Sequence, residues 1–492
     1  MTSRGRWTAA IGAVLAVWLL AGQPAPAAEG DSPDAVTAAA AGEETVNLSW
    51  HDVWTLADSY HPQVRAALRE LESLERTLAQ REAAYKPTLT LRGEGPGVRW
   101  APGGDTEAFA LGVGLSAGLK LPSGLQLNAS INSSQREAGT EDPDSGLRTT
   151  VSVSYPLRRS AELDADALAL REAAVARDAG RRRVEIARQQ ARLETLSALR
   201  EVEAAEALLR LARGAYEEAL ANHSVVVQQA EIGAATEAQL LAAQLDVLRA
   251  EQELMAAERT YQARRSSLLR LLGLTEDGVG YRFPSAWDWL AMPDSGAEDE
   301  IMAQAVAASV DVWERQQAVE TTALQLAAER ERSGLETSLQ LSYSASSGQG
   351  SQPGWRVGLQ ASYPLLDGGQ RRLNLEAREA AYAQAQEALA SAVEQVQDQV
   401  ADLLFQLEDA RRQVEIARLE LTRAQLEWTS AQRRLELPVP AATEADVAAA
   451  RRAVERAEIA WREAVWTYQA RWMELQILQG DVDWDALRGG EE

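Results

Sequence analysis

A four-residue motif, Ser-Tyr-Pro-Leu, occurs twice in this sequence, at 154–157 and again at 362–365. Each copy ends an alternating, strand-like stretch and leads into a long helical pattern. Tyr363 lies 208 residues after Tyr155, and a second motif, Ala-Ala-Thr-Glu-Ala, recurs at 234 and 441, a spacing of 207. Because two different motifs recur at nearly the same spacing, the sequence predicts a tandem duplication in which strands lead directly into long helices.

Composition agrees with long helices and excludes several classes of function. Aromatic residues make up only 5% of the 492 residues, which indicates a helical chain with a thin core. The formal charge of −24 argues against non-specific binding to nucleic acid or anionic lipid, since both require a net basic surface. The chain has no cysteine, which excludes disulfides and thiolate metal sites.

The sequence contains no set of residues that forms a catalytic centre. Its histidines, His51, His61 and His223, are isolated and are interpreted as surface or boundary residues. The carboxylates are scattered along helix faces, where solvation or pairing between helices explains them. We therefore expect no enzyme activity and no cofactor or metal.

The first 28 residues have the layout of a secretory signal peptide. Arg4 and Arg6 precede an apolar run from Trp7 to Ala21, which is followed by the small residues of a cleavage site. The run is shorter than the roughly 20 residues that a spanning helix needs, so we expect cleavage and export. No later stretch reaches that length, so any membrane contact is expected through strands.

Four stretches between 88 and 156 alternate with a period of two residues, which predicts strands with one apolar and one polar face. A soluble sandwich is the alternative, but these strands lead directly into long helices. We therefore predict a membrane β-barrel with its polar face on water. The turn at 121–124 is tight, whereas the connections at 94–107 and 134–148 are long, as in outer-membrane barrels whose short turns face the periplasm.

Each half of the chain then continues as a helical hairpin. The helical pattern from 158 to about 231 predicts a rod of roughly 100 Å, which needs neighbours to bury its apolar stripe. Predicted domain boundaries follow the repeats. A signal peptide (1–28) and a flexible leader (29–47) precede the first repeat (48–272), which has strands at about 88–156 and a tunnel hairpin at 158–272 with its tip near 232–237. An aromatic linker (273–298) leads to the second repeat (299–480), which has strands at about 337–365 and a tunnel hairpin at 366–478 with its tip near 437–443, and a C-terminal tail (481–492) follows.

The repeats differ in length between their strands. From Leu89 to Tyr155 there are 66 residues, but from Leu339 to Tyr363 only 24. The additional residues form an extra hairpin at about 107–134, so the sequence predicts six strands for each chain, four from the first repeat and two from the second.

The chain resembles the TolC-like outer-membrane efflux proteins. The resemblance rests on the stretch 57–66 with His61-Pro62, the Ser-Tyr-Pro-Leu motifs, Leu366-Asp-Gly-Gly-Gln370, and the tips at 233–243 and 443–450. It implies a mainly helical fold with a membrane β-barrel portion, and a homotrimer with one shared barrel and one periplasmic α-helical tunnel. With six strands from each chain the barrel would have about 18 strands, against the family's usual twelve. The alternative is that the additional hairpin folds outside the barrel wall; its clean alternation favours the wall.

The resemblance also implies a function and partners. The protein would sit in outer-membrane lipid with a large periplasmic portion. It would be the passive exit duct of a tripartite efflux or type I secretion system for small molecules or polypeptides. A periplasmic adaptor would dock on the hairpin tips and connect the duct to an inner-membrane pump or ABC transporter. The alternative is a periplasmic coiled-coil adaptor or scaffold, which would need a β-rich domain between the hairpin arms.

The resemblance points to candidate site residues at the tips and at the junctions. At the tunnel mouth Asp446 matches one gate aspartate of the relatives, but Ala449 replaces the second, and Leu437 and Ala442 replace the latch tyrosine and arginine. Glu444 and Glu237 are substitute gate candidates; the alternative is that all three acids are solvated charges near helix N-termini. Adaptor docking is expected at Gly233, Ala234, Thr236, Pro438, Val439, Pro440 and Thr443. Tyr155, Pro156, Tyr363 and Pro364 would form the strand-to-helix junctions, with each proline ending the sheet ladder.

Overall fold

The computed structural model describes residues 45–99, 108–138, 144–157, 163–275, 280–286, 297–347, 353–363, 365–436, 443–480, 482 and 484. The chain divides into two compact units. The smaller consists of 1–46 and 278–280, and its described residues belong to short strands. The larger consists of 47–277 and 281–492 and contains all the helices described below.

The larger unit is mainly helical, with helices that come in short and very long pairs. Within the described ranges they are α1 (Trp50–Tyr60), α2 (Pro62–Glu82), α3 (Ala165–Glu231), α4 (Glu237–Leu271), α5 (Glu298–Ala308), α6 (Val310–Arg332), α7 (Gln370–Leu435) and α8 (Glu444–Gln479). The longest, α3 and α7, have 67 and 66 residues, so each is roughly 100 Å long at 1.5 Å per residue.

A capping residue separates the two short helices of each pair. His61 ends α1 and caps α2, and Pro62 occupies the first turn of α2, where its missing N–H costs no hydrogen bond. Helical spacing in the sequence predicts a helix from about 48 to 85 with a break at Pro62, and this break is confirmed. The same spacing predicts one helix from Asp299 to Arg332. That prediction is wrong, because Ser309 interrupts the helix with an extended backbone and its hydroxyl accepts a hydrogen bond from the Val312 N–H.

The strands are β1 (Thr45–Asn47), β2 (Thr88–Arg99), β3 (Ala108–Lys120), β4 (Gln126–Ala138), β5 (Asp144–Pro156), β6 (Gly280–Arg282), β7 (Glu336–Ser346) and β8 (Gly354–Ser362). β1 pairs with β6. The other six form one antiparallel sheet in the order β2-β3-β4-β5-β7-β8. The additional hairpin β3–β4 therefore pairs within the same sheet as the strands of both halves.

The two faces of the large sheet differ in chemistry, as period-two alternation requires. Odd-numbered positions are mostly apolar in the part of each strand nearer the helices, and on this face the rings of Tyr343 and Trp355 lie 4.9 Å apart. Even-numbered positions are Ser, Thr, Gly, Asn and Gln with a few charges, and on this face Gln340 donates to Gln360 across two strands. Apolar side chains of the odd face remain exposed, including Leu91, Val357 and Leu359 at about 70%.

The buried core of the larger unit lies where short helices pack against long ones. Val53 and Trp54 of α1 contact Leu196 and Leu199 of α3, together with Met473 of α8. A second cluster joins α5 and α6 to α7 and α8, with Ile301 and Val400 among its buried members. Burying each such side chain stabilises the fold by roughly 1.5–3 kcal/mol.

No helix in the described ranges combines the length and apolar character needed to cross a membrane.

Two glycines end helices in the same left-handed conformation but in different surroundings. Gly233 follows α3 with φ +72° and has open space where a Cβ would lie, whereas Gly273 follows α4 with φ +67° and a Cβ there would lie 2.7 Å from the Cβ of Tyr60. Both belong to a Schellman motif, in which Ala234 donates to the Gln229 carbonyl and Leu274 donates to the Leu269 carbonyl.

We predict that Gly233→Ala destabilises the protein by about 1 kcal/mol, the cost of a left-handed alanine. Gly273→Ala should cost more, because Tyr60 or the end of α4 must also move. Thermal unfolding of the purified protein in detergent, followed by circular dichroism at 222 nm, measures the difference. Equal melting temperatures for the two variants would contradict the close approach of Tyr60.

Candidate functional site: hairpin turns and strand–helix junctions

The turn between α3 and α4 is short and closed by local hydrogen bonds. The Gly233 N–H donates to the Ala230 carbonyl (3.0 Å) and the Ala234 N–H to the Gln229 carbonyl (2.7 Å). Thr236 then caps α4 in a capping box with Gln239, whose backbone N–H donates to the Thr236 hydroxyl and whose amide oxygen accepts from the Thr236 N–H at 2.8 Å. Beside this turn the side chain of Ile232 is 80% exposed.

The turn between α7 and α8 is described only from Thr443 onward. Pro438, Val439 and Pro440, together with Leu437 and Ala442, lie outside the described residues. Thr443 caps α8 in a capping box with Asp446: the carboxylate of Asp446 accepts from the Thr443 N–H and hydroxyl, both at 2.8 Å, and the Asp446 N–H donates back to the hydroxyl at 3.2 Å.

The two capping boxes occupy equivalent places but carry different charge. Gln239 and Asp446 are each the third residue after a capping threonine, and only Asp446 is ionisable. Hydrogen bonds from the backbone N–H and then the hydroxyl of Thr443 lower the pKa of Asp446. The carboxylate of Asp446 is therefore ionised and also holds the start of α8.

The other two gate candidates occupy the first helical positions. Glu444 lies in the same first turn as Asp446, and Glu237 begins α4. Both are exposed, and acids at these positions interact favourably with the helix dipole. Within one chain the three gate candidates therefore lie at the starts of two different helices: Glu237 on α4, and Glu444 and Asp446 on α8.

The first strand–helix junction depends on the additional hairpin. Lys120, the last residue of β3, pairs with both Asp164 and Asp166. Asp164 is the N-cap of α3, which begins at Ala165 rather than near 158 as expected from the sequence. A lysine from the sheet thus neutralises the acidic start of the long helix.

Pro156 is the last residue of β5, and its pair with Ser338 is the last of the ladder to β7, where the sequence predicts that the ladder ends. The Leu157 N–H closes this ladder by donating to the Thr337 carbonyl at 2.9 Å. Alternate N–H groups of a strand point toward opposite neighbours. The missing N–H of Pro156 therefore points toward the side of β4, whose pairing with β5 already stops at Ser154.

The second junction has a different set of polar contacts. Asp367 accepts hydrogen bonds from the Gly369 N–H (3.1 Å), the Arg371 N–H (3.1 Å) and the Arg371 Nε (2.7 Å). These contacts, with the side chain of Arg371 first, lower the pKa of Asp367 to about 2. Arg371 also donates to the Ser333 carbonyl at the end of α6 and lies 4.8 Å from the ring centre of Tyr363. Arg371 therefore joins β8, α6 and α7; Pro364 lies outside the described residues.

Sequence reasoning found Tyr155, Pro156 and Tyr363 but missed the charges that fix the junctions. Asp367 and Arg371 are four residues apart around two glycines, and this local signal begins in the motif Leu366-Asp-Gly-Gly-Gln370 and ends at the residue after it. Lys120 is 44 residues from Asp164, and no periodicity links them. That pair required the tertiary structure.

A third polar site lies at the elbow between α1 and α2. His61 is 1% exposed; its Nδ1 accepts from the Gln63 N–H (3.4 Å), and its Nε2 lies 3.4 Å from the carboxylate of Glu194 on α3. Gln63 donates to the same carboxylate at 2.9 Å. Burial lowers the pKa of His61, and Glu194 opposes this only in part. The histidine that sequence analysis interpreted as a surface or boundary residue is a buried link between helices.

Because the pKa of His61 is lower in the folded state than its ordinary value of 6.5, the unfolded chain takes up this proton first as pH falls. The stability that this residue contributes is present above about pH 6.5 and is lost below it. We predict that His61→Asn, which retains a capping side chain, melts with a smaller loss of stability between pH 7 and pH 5 than the wild type. Parallel pH dependence of the two melting temperatures would contradict this role.

Asp446→Gln copies the capping box of Gln239 and removes only the charge. We predict that it leaves helix content unchanged, whereas Asp446→Ala loses a cap worth about 1 kcal/mol. If the charge lines the tunnel mouth, both variants should weaken the block of single-channel current by multivalent cations. Block that is unchanged in Asp446→Gln would limit Asp446 to capping.

Comparison with known proteins gives a family match over part of the chain. Residues 302–480 match the family described as outer membrane efflux protein. No curated protein matches the sequence.

Among solved structures, a membrane protein from Pseudomonas aeruginosa is 18% identical with a TM-score of 0.59, covering 87% of this chain and 93% of that one. The outer membrane protein VceC of Vibrio cholerae is 15% identical with a TM-score of 0.57, over 90% and 96% of the two chains. The CmeC outer membrane channel of Campylobacter jejuni is 13% identical with a TM-score of 0.60, over 87% and 85%. At these identities the likeness is one of fold.

Proposed function

We propose that this chain is a TolC-like outer membrane efflux protein and forms the exit duct of a tripartite efflux or type I secretion system; the family match of residues 302–480 and the fold support this. The same match supports a location in the outer membrane. In this proposal the sheet lies in the membrane, the long helices reach into the periplasm, and small molecules or polypeptides pass without chemical change.

The sheet supports assembly from several chains. Its outer strands, β2 and β8, each pair on one side only. Unpaired backbone groups in lipid cost several kcal/mol each, so a strand edge cannot remain exposed there. Pairing β8 of one chain with β2 of the next removes every edge, and three chains would close a barrel of about 18 strands.

Exposed apolar side chains on the outer helices support the same ring of three chains, and this observation carries the proposal. Within one chain α4 packs on α3, α3 on α8, and α8 on α7, which leaves α4 and α7 as the outer pair. Each carries apolar side chains that are about half exposed or more. We call these the α4 stripe (Leu241, Leu245, Leu248, Met255) and the α7 stripe (Phe405, Ile416, Leu419, Leu426).

Each stripe faces away from the partner that its helix already has. At 100° per residue, the α4 stripe lies roughly opposite buried Ala243, and the α7 stripe lies roughly opposite buried Val414. Spacings of seven residues, from Leu241 to Leu248 and from Leu419 to Leu426, are those of a coiled-coil seam. Packing the α4 stripe of one chain on the α7 stripe of the next would bury both and close the tunnel in the same direction as the sheet.

The hairpin turns are the proposed docking surface for a periplasmic adaptor, which would link the duct to an inner-membrane pump or ABC transporter. The turn at 232–236 supports this role, because local hydrogen bonds hold it rigid while Ile232 is presented to solvent. Thr443 and the prolines Pro438 and Pro440 would form the second docking turn. The acids Glu237, Glu444 and Asp446, one set from each of three chains, would ring the tunnel mouth.

The alternative, a periplasmic adaptor or scaffold, fits less well. It would need a β-rich domain between the arms of a hairpin, whereas only 232–236 separates α3 from α4. A sheet with an exposed apolar face also suits lipid better than water.

A glutamate in either stripe should prevent the ring from closing. We predict that Leu248→Glu or Leu419→Glu abolishes the trimer that the wild type forms in detergent, because each substitution would place a charge in all three seams. Ala242→Glu, about 100° around α4 and exposed, is the control and should stay trimeric.

Light scattering coupled to gel filtration, together with the heat-modifiable migration of trimers on gels, distinguishes these outcomes. A wild type recovered as a monomer from the soluble periplasm would contradict the duct. A trimer that tolerates both substitutions would move the seam to other helices.

A further inference from the structure

Three arginines of the large sheet lie on its polar face without a charge partner. Arg92 of β2, Arg148 of β5 and Arg356 of β8 are exposed, and none has a side-chain hydrogen bond or ion pair to any residue that the structure describes. The other described cation of this face, Lys120, is already paired with Asp164 and Asp166. These three guanidinium groups are therefore available to another partner.

Strand pairing fixes the face on which the arginines lie. Arg92 is opposite Gly114, Gly114 opposite Asn132, and Asn132 opposite Arg148, and residues that face each other across strands share a side of the sheet. A Cβ on Gly114 would lie 2.5 Å from the Asn132 side chain, which places both on this face. Arg356 is opposite Ser342, an even-numbered position of the same face.

By strand register Glu94 lies on the same face two residues from Arg92, and Asp144 lies four residues from Arg148 opposite Arg136. Among the residues whose side chains the structure describes, the cross-strand neighbours of the three arginines are Gly114, Asn132, Ser342 and Ser346. Among the described side chains of this face the one carboxylate is Glu336, which pairs with Ser362 at the helix end of the sheet. Ser362 lies six residues along β8 from Arg356, a distance of roughly 20 Å. Glu336, which is opposite Ser362, is therefore farther from Arg356 than the Debye length of about 10 Å at 0.1 M salt.

The additional hairpin sets the spacing of these charges. β3 and β4 lie between β2 and β5, so Arg92 and Arg148 are separated by three strand spacings, roughly 14 Å. Without the hairpin the two would face each other on adjacent strands, where like charges are destabilising. In the proposed ring, β7 and β8 lie between β5 of one chain and β2 of the next, which is again a separation of three strand spacings. Arg92 and Arg148 would therefore alternate at equal intervals around the barrel.

We infer that the polar face of the sheet forms an anion-attracting belt inside the barrel, and that it favours solutes carrying two or more negative charges, as polyphosphates and polycarboxylates do. Guanidinium groups bind such oxyanions through paired hydrogen bonds. The inference rests on the proposed duct, in which this face lines the lumen. It assigns the barrel a charge preference opposite to that of the acidic turns at Glu237 and Glu444, in a chain whose formal charge is −24.

Block of the reconstituted channel by inorganic tripolyphosphate tests this inference. The full chain is inserted into planar bilayers, and the concentration of tripolyphosphate that halves the unitary current is measured on either side. Replacing Arg92, Arg148 and Arg356 together by Gln should raise that concentration on the order of tenfold or more, because up to nine cations leave one lumen. The difference should widen as salt is lowered from 0.3 M to 0.05 M.

Two controls separate charge from other effects. The triple Arg→Lys variant keeps the charge and should be blocked like the wild type. Arg76→Gln removes one charge from α2, where Arg76 pairs with Glu72 and both are more than 60% exposed, and should leave the block unchanged.

Each result decides a different statement. Channels of the Gln variant that are blocked at the wild-type concentration would overturn the belt and leave the duct intact. A trimeric wild-type protein that conducts no current would overturn the duct and the belt together. Block that is lost with Gln and restored with Lys supports both.

Discussion

The pairing of β5 with β7 is the contact on which the rest of the structure depends. It joins the strands of the first half to those of the second over nine residue pairs, from Arg148 opposite Ser346 to Pro156 opposite Ser338. β5 leads into α3, and β7 is followed by β8 and then α7. This ladder therefore places the starts of the two long helices at the same end of the strands of one sheet. A register slip of one residue would turn the apolar side chains of one half to the side of the sheet that carries the polar side chains of the other half.

The two junctions solve one physical problem with different residues. A long helix that begins beside the end of a strand has unpaired N–H groups and a partial positive charge at its start. At α3, Asp164 caps the helix and Lys120 offsets the resulting acidity; at α7, Asp367 accepts from two backbone N–H groups while Arg371 balances it. The first solution uses a residue of the additional hairpin, so that hairpin secures the helix as well as widening the sheet.

Charge is distributed unevenly along the proposed path through the protein. The described acids at the hairpin turns lie at the first turns of α4 and α8, where the helix dipole favours them. The arginines lie in the sheet, separated by the strands of the additional hairpin. A wider sheet therefore has two consequences: more strands around the proposed lumen, and cations far enough apart to remain ionised together without strong mutual repulsion.

The sequence by itself determined the class of element at nearly every position, because period and breaking residues are local properties. Alternation defined the strands around Leu89 and Val151, helical spacing defined α3 and α7, and Thr236 and Thr443 marked the starts of the returning helices. Its errors were also local. The break at Ser309 lacks a proline or glycine, and the start of α3 depends on Asp164, which differs little from its neighbours.

Only the tertiary structure decided how distant residues meet. The sequence could not pair Lys120 with Asp164 or bury His61 against Glu194, since these contacts join residues 44 or more positions apart. It showed Asp446 as an acid near a helix start, and the structure assigned its carboxylate to Thr443. Periodicity is fixed by the backbone geometry of each element, whereas the choice of partner depends on the free energy of the whole packed arrangement, and that quantity is absent from any single stretch of chain.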